Sequence, residues 1–152
     1  MTIDYAALPG LFAAAVPFAG FLGIGYDSVS PDEVVLRLAD DQAKHNHIGT
    51  LHAGALFSLA ESASGLVVMA AVAERLAGVT PLAARAEITY RKVARGDVTA
   101  TARIEGGVAG VLATLDAEGR VRFPVHVDLR DESGEVAATV VVDWHLRRNA
   151  TG

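Results

Sequence analysis

Apolar residues along this chain recur with two periods, and the change from one to the other outlines a fold. Residues 21–29 and 33–39 are short apolar and β-branched runs separated by Ser30-Pro31-Asp32, whose proline and aspartate favour a turn. They predict a hairpin. From Gly54 to Leu76 proline is absent, and Leu56, Leu59, Ala63, Val67 and Ala70 recur at intervals of three or four, the spacing of one helix face. Beyond Pro81 the period falls to two. Ala84, Ala86, Ile88 and Tyr90 alternate with Arg85, Glu87, Thr89 and Arg91, as in a half-buried strand, and residues 98–104, 121–127 and 136–144 repeat the alternation. Arg95-Gly96-Asp97 reads as a turn, and Asp131-Glu132-Ser133-Gly134 reads as the tip of an antiparallel hairpin. Residues 108–117 fit a short helix or an irregular loop, with the helix favoured, and residues 1–20 predict an N-terminal helix or extension. The sum is an α+β chain: an antiparallel sheet of five to six strands wrapped around one long central helix at 54–76, in a single domain spanning 1–152.

Composition narrows what such a domain does. At 152 residues the chain is long enough for one sizeable core. The absence of cysteine excludes disulfides, thiolate metal sites and a cysteine nucleophile, and makes a cytoplasmic setting the expectation. A net charge of -5 argues against nucleic acid, whose phosphates demand a basic surface. The apolar run at 8–25 follows Asp4, has no lysine or arginine before it and carries Pro9 and Pro17, which disfavours a secretory leader. Residues 53–73 are long enough to span a bilayer, but Glu61, three serines and two glycines argue against membrane insertion.

Glu61 is the chemical anomaly of that helix. It is the only lysine, arginine, aspartate or glutamate between Lys44 and Glu74, and a carboxylate in apolar surroundings must be desolvated, paired or used. On helical spacing it shares a face with Phe57, Ser58, Ser64 and Gly65, away from the apolar stripe of Leu56, Leu59, Ala63 and Val67. An arginine such as Arg85 or Arg91 holding it is the purely structural alternative. The helix start supplies a second element, because the amides of Ala53 and Gly54 carry the positive end of the helix dipole and can stabilise an oxyanion. Ala53 and Glu61 lie eight residues apart, or about 12 Å along the axis, too far to serve one carbonyl from one helix. If both act, a second chain must bring them together, and a two-fold dimer creates two equal sites.

Asn46, Gly49, His52, Gly54 and Glu61 resemble the N-x-x-G-x-x-H-G-G…D/E signature of the PaaI-like hotdog-fold acyl-CoA thioesterases, and the element order from Phe21 to Arg147 is similar too. The resemblance implies a homodimer or dimer of dimers that hydrolyses acyl-CoA to free acid and CoA without a cofactor or metal. It implies Glu61 as nucleophile or general base, the Ala53 amide as oxyanion donor, and Asn46 as holder of the acyl carbonyl or water. His52 and Gly54 would shape the turn into the helix, with Gly49 and Phe57 lining the substrate. Ala53 replaces the first glycine of H-G-G, and Gly65 stands where some members have a hydroxyl, so Ser64 is the substitute for positioning water. Arg91, Lys92 and Arg95 would meet the phosphates of CoA.

Four other readings compete. His47 precedes Glu61 by fourteen residues, as in hotdog 3-hydroxyacyl dehydratases, but the loop after it lacks their proline, so dehydration ranks second among enzymes. His45, His47 and His52 suggest metal ligands, yet no acidic residue lies close enough in sequence to complete a site, and ordinary loop histidines are favoured. Ser58, Ser62 and Ser64 lie in no G-x-S-x-G elbow, and His126 and His145 sit among alternating strand residues. A non-catalytic acyl-CoA-binding module is the alternative outside enzymology.

Overall fold

The computed structural model describes residues 3–150, so the two residues at each end of the predicted 1–152 domain lie outside it. Six strands form one antiparallel sheet in the order β1-β2-β4-β5-β6-β3: β1 (Gly25–Val29), β2 (Val34–Leu38), β3 (Val79–Tyr90), β4 (Val98–Ile104), β5 (Arg120–Arg130) and β6 (Val136–Arg148). Two short helices, α1 (Leu8–Ala15) and α2 (Pro17–Leu22), precede the sheet, α3 (Ala53–Ala71) lies on one face of it, and α4 (Val108–Glu118) joins β4 to β5. The favoured helical reading of 108–117 is therefore observed.

Alternation builds the core row by row. Leu36, Ala100, Leu129 and Ala138 are successive cross-strand partners, as are Val34, Ala102, Val127 and Val140, and all eight are buried under α3. Leu59, Ala63, Leu66 and Val67 of α3 face these rows with no solvent exposure. Each such leucine or valine contributes about 1.5–3 kcal/mol by leaving water. The helix is long and apolar enough to cross a membrane, but its length is spent inside this core.

Three expectations are corrected. The first strand begins at Gly25, because Pro17 starts a helix that carries the chain to Leu22 and Gly23 ends it at φ +71°. The central helix ends at Ala71, five residues short of Leu76, since Ala73–Gly78 tighten into a 3-10 helix before β3. β3 is not half-buried. Ile88 continues the Val140 row and Tyr90 the Ala138 row, on the expected face, but β3 is the outermost strand, and Leu82, Ala84 and Ala86 stand open to solvent.

Candidate functional site

The loop before α3 is closed at its base by a bridge between His45 and Leu51 and by the His52 amide donating to the Lys44 carbonyl (2.8 Å). Asn46 organises its interior. The Asn46 Oδ1 accepts from the amides of Ile48 (3.0 Å) and Thr50 (3.1 Å), while Nδ2 donates to Thr50 Oγ1 (3.0 Å) and keeps a second N–H. Gly49 turns the loop at φ +76°, a conformation that costs other residues about 1–2 kcal/mol.

His52 decides which helix-start amide stays free. With extended backbone it caps α3, and its Nδ1 accepts from the Gly54 amide at 2.8 Å. A Cβ on Gly54 would sit 3.1 Å from that nitrogen, so glycine there gives the imidazole room. Of the two amides singled out in the sequence, Gly54's is consumed and Ala53's has no partner among the described residues. Tyr90, at the end of β3, donates its hydroxyl to the Ala53 carbonyl (3.1 Å) and so fastens the first turn to the sheet.

Two clefts flank this turn. The smaller, about 280 Å³, is lined by Asn46, Thr50, Ala53, Tyr90, Arg91 and Lys92 among others. The larger, about 660 Å³, lies on the α2 side and touches His52, Gly54 and Ser58. Among the described residues the Arg91 side chain makes only a 3.3 Å bond to Thr139 Oγ1, whereas Lys92 is committed to Asp131 (3.1 Å) and Glu135 (2.5 Å). Arg91 is the freer cation of the smaller cleft. Arg95 does not line that cleft, and its backbone amide instead donates to Asp131.

Glu61 is half-buried. Among the described residues its carboxylate has neither a hydrogen bond nor an ion pair, and burial alone pushes its pKa up. The two arginines proposed to hold it are elsewhere: Arg85 pairs with Glu87 (2.8 Å) and Arg91 with Thr139. Gly54 is exposed and Phe57, Ser58 and Glu61 are partly exposed, which leaves a window on the first half of α3. Beyond it α1 and β6 close the face, with Phe12 and Trp144 ring atoms 3.6 Å from where a Gly65 Cβ would be. Ser64 is sealed beneath them, its hydroxyl donating to the Glu61 carbonyl (2.7 Å) and accepting from Trp144 Nε1 (3.2 Å). That places it in packing, with no free access to water.

The structure thus brings Asn46, Ala53, Arg91 and Lys92 to one cleft, with Gly49 turning the loop beside it, but leaves Glu61 and Phe57 outside both clefts. His47 is exposed and lines neither, and His45 bonds Asp40 (2.5 Å). No metal-ligating cluster occurs among the described residues. Tyr90 and Thr50 are the site residues that periodicity hid; the only signal for Tyr90 was its place immediately before Arg91-Lys92.

Residues 6–146 match the model of the family described as "Domain of unknown function (DUF4442)". The chain belongs to that family. No curated protein matches it. Among solved structures, a Pseudomonas aeruginosa protein of unknown function, described as a "probable thioesterase", is 25% identical with a TM-score of 0.82, over 98% of this chain and 99% of that one. A thioesterase family protein from Silicibacter pomeroyi is 20% identical with a TM-score of 0.76, over 96% of this chain and all (100%) of that one. A Haemophilus influenzae thioesterase is 20% identical with a TM-score of 0.74, over 97% of this chain and 93% of that one. The fold is that of thioesterase-family proteins.

Proposed function

We propose that this protein is a hotdog-fold acyl-CoA thioesterase of the PaaI-like type, acting as a homodimer. The observation that carries the reading is Glu61: a half-buried carboxylate with no partner among the described residues, on the helix whose first unpartnered amide there, at Ala53, lies about 12 Å away along the axis. Within one chain the two never meet. A second copy laid against the open window at Gly54, Phe57, Ser58 and Glu61 brings the carboxylate of one protomer to the amide of the other. The exposed edge of β3, twelve residues long, favours such pairing, since an unprotected edge of this length is a template for another chain.

At each composite site the thioester carbonyl oxygen sits on the Ala53 amide, where negative charge develops as the carbonyl carbon is attacked. Glu61 either takes a proton from the attacking water or attacks the carbon itself to form an anhydride that water then hydrolyses. On either route the C–S bond breaks and CoA leaves as the thiolate, taking up the proton that water gives. The raised pKa of Glu61 makes it a stronger base than an exposed glutamate. The spare Asn46 N–H orients carbonyl or water, and Arg91 faces the phosphates of CoA. Tyr90 keeps the Ala53 peptide in position.

Complementation tests the shared site. Glu61→Gln removes the carboxylate; Ala53→Pro removes the amide at the first helical position, where proline is tolerated. Each variant alone should release almost no free thiol from an acyl-CoA panel. Mixed in equal amounts after subunit exchange, half the dimers carry one intact site, and about a quarter of the wild-type rate should return. Full activity in Glu61→Gln, or no recovery in verified heterodimers, would remove the shared carboxylate from the mechanism.

A further inference from the structure

Two clefts lie beside the first turn of α3, and Ala53 lines one while Gly54 lines the other. The smaller sets the cation of Arg91, with Asn46 and Thr50, among apolar residues such as Ile48, Leu56 and Val93. The larger is walled by Phe18, Phe21 and Leu22 of α2 against Ala55 of α3. Phe18 and Phe21 stack at 6.3 Å between ring centroids, yet Phe21 remains 84% exposed, so the wall is unfilled by other side chains among the described residues. The polar groups at its rim have partners: Lys44 lies 3.7 Å from Asp41, and the His45 ring is hydrogen-bonded to Asp40. A volume of about 660 Å³ falls within the range of small-molecule sites, which are mostly apolar with a few polar anchors.

We infer that the α2 cleft is the acyl-chain subsite, so that the substrates are thioesters of aliphatic medium- to long-chain acids. This rests on the thioesterase reading and names its substrate class. The clefts lie on either side of the consecutive residues Ala53 and Gly54, and the free Ala53 amide belongs to the residue that lines the smaller one. A ligand spanning them must be anionic at one end, apolar at the other, and carry a carbonyl between, which describes a fatty acyl-CoA. Short acyl groups leave the α2 wall in water. Each methylene buried along that wall should improve binding about fourfold.

The test measures kcat/KM for butyryl-CoA and dodecanoyl-CoA, together with binding of cis-parinaric acid, a fluorescent fatty acid whose capture needs no turnover. The variants are Phe18→Ser/Phe21→Ser, which strips the wall, and Ala43→Trp, which fills the cleft from an exposed position. Wild type should prefer dodecanoyl-CoA by at least tenfold, and both variants should lower that ratio tenfold and weaken parinaric acid binding to match. Thioester hydrolysis absent in all proteins, with parinaric acid still lost in the variants, would refute the thioesterase reading and leave the apolar subsite standing. An unchanged chain-length ratio with equal parinaric acid binding in all three proteins would overturn the subsite. So would a wild type that prefers butyryl-CoA.

Discussion

Two acidic residues withdrawn from water, Glu61 in the middle of α3 and Asp131 in the turn between β5 and β6, are treated in opposite ways. Asp131, its side chain only 1% exposed, accepts from the Ser133 hydroxyl (2.5 Å) and amide (3.0 Å) and from the Arg95 amide (3.2 Å), and pairs with Lys92 (3.1 Å). These donors hold its carboxyl at a pKa of about 2, the Ser133 bond first among them. Glu61 has no donor among the described residues, and burial drives its pKa upward. One region favours the charged form and gains rigidity; the other disfavours it and gains basicity. The Asp131 turn also ties down the segment from Lys92 to Arg95, which borders the smaller cleft. A satisfied acid thus positions one wall of the smaller cleft, to which the proposed mechanism brings the unpartnered acid of a second copy.

The largest effect expected from this contrast is on turnover. Glu61→Gln should lower kcat about 10²–10⁴-fold in a free-thiol assay. The same variant should melt at a higher temperature than wild type at pH 7. The sign follows from linkage: with a folded pKa above the unfolded value of 4.5, the native state binds more protons than the unfolded chain, so stability falls as pH rises through the folded value. An amide escapes that penalty. A lower melting temperature would mean that Glu61 has a partner and would break the comparison.

Asp131→Ala should do the reverse, costing about 3 kcal/mol in urea unfolding because it strands Lys92 and the Ser133 and Arg95 amides. A loss below about 0.5 kcal/mol would reduce the turn to surface decoration. In wild type the same carboxylate contributes stability that is fully present above its unfolded pKa of 3.8 and lost as pH falls towards about 2. Acid titration of unfolding free energy should show this drop, on the order of 2 kcal/mol, and Asp131→Asn should flatten it.

The smallest effect separates the two cations beside the site. Arg91→Ala should raise KM for acyl-CoA about fivefold with kcat kept, an effect that fades at high salt, because Arg91 is the freer charge. Lys92→Met should lower stability with little change in KM. Equal effects on KM would show that the Asp131 network does not withdraw Lys92 from substrate.

Local rules made much of this fold readable. The period-two runs became β4, β5 and β6, and the three-four spacing became α3, because alternation and helical spacing record which face of an element is buried. They do not record how far the partner extends. The pattern placed Ala86 and Ile88 on the core face, but only the strand order puts β3 at the edge, where that face leaves the cover of α3. At the site, the isolation of Glu61 was visible because charge is a property of residue type. The fate of Ser64 was not, since its partner Trp144 is eighty positions away.

What this chain declares one residue at a time is therefore its periodicity, its turns, its unaccompanied carboxylate and the glycine that lets an imidazole cap a helix. Each follows from backbone sterics and side-chain type within a few neighbours. The tertiary structure alone committed Lys92 to Asp131, sealed Ser64 beneath Trp144, and set α2 beside the first turn of α3 to form the apolar cleft. Those outcomes depend on which distant groups arrive first at a limited set of donors, acceptors and apolar surfaces, and only the folded chain makes that choice.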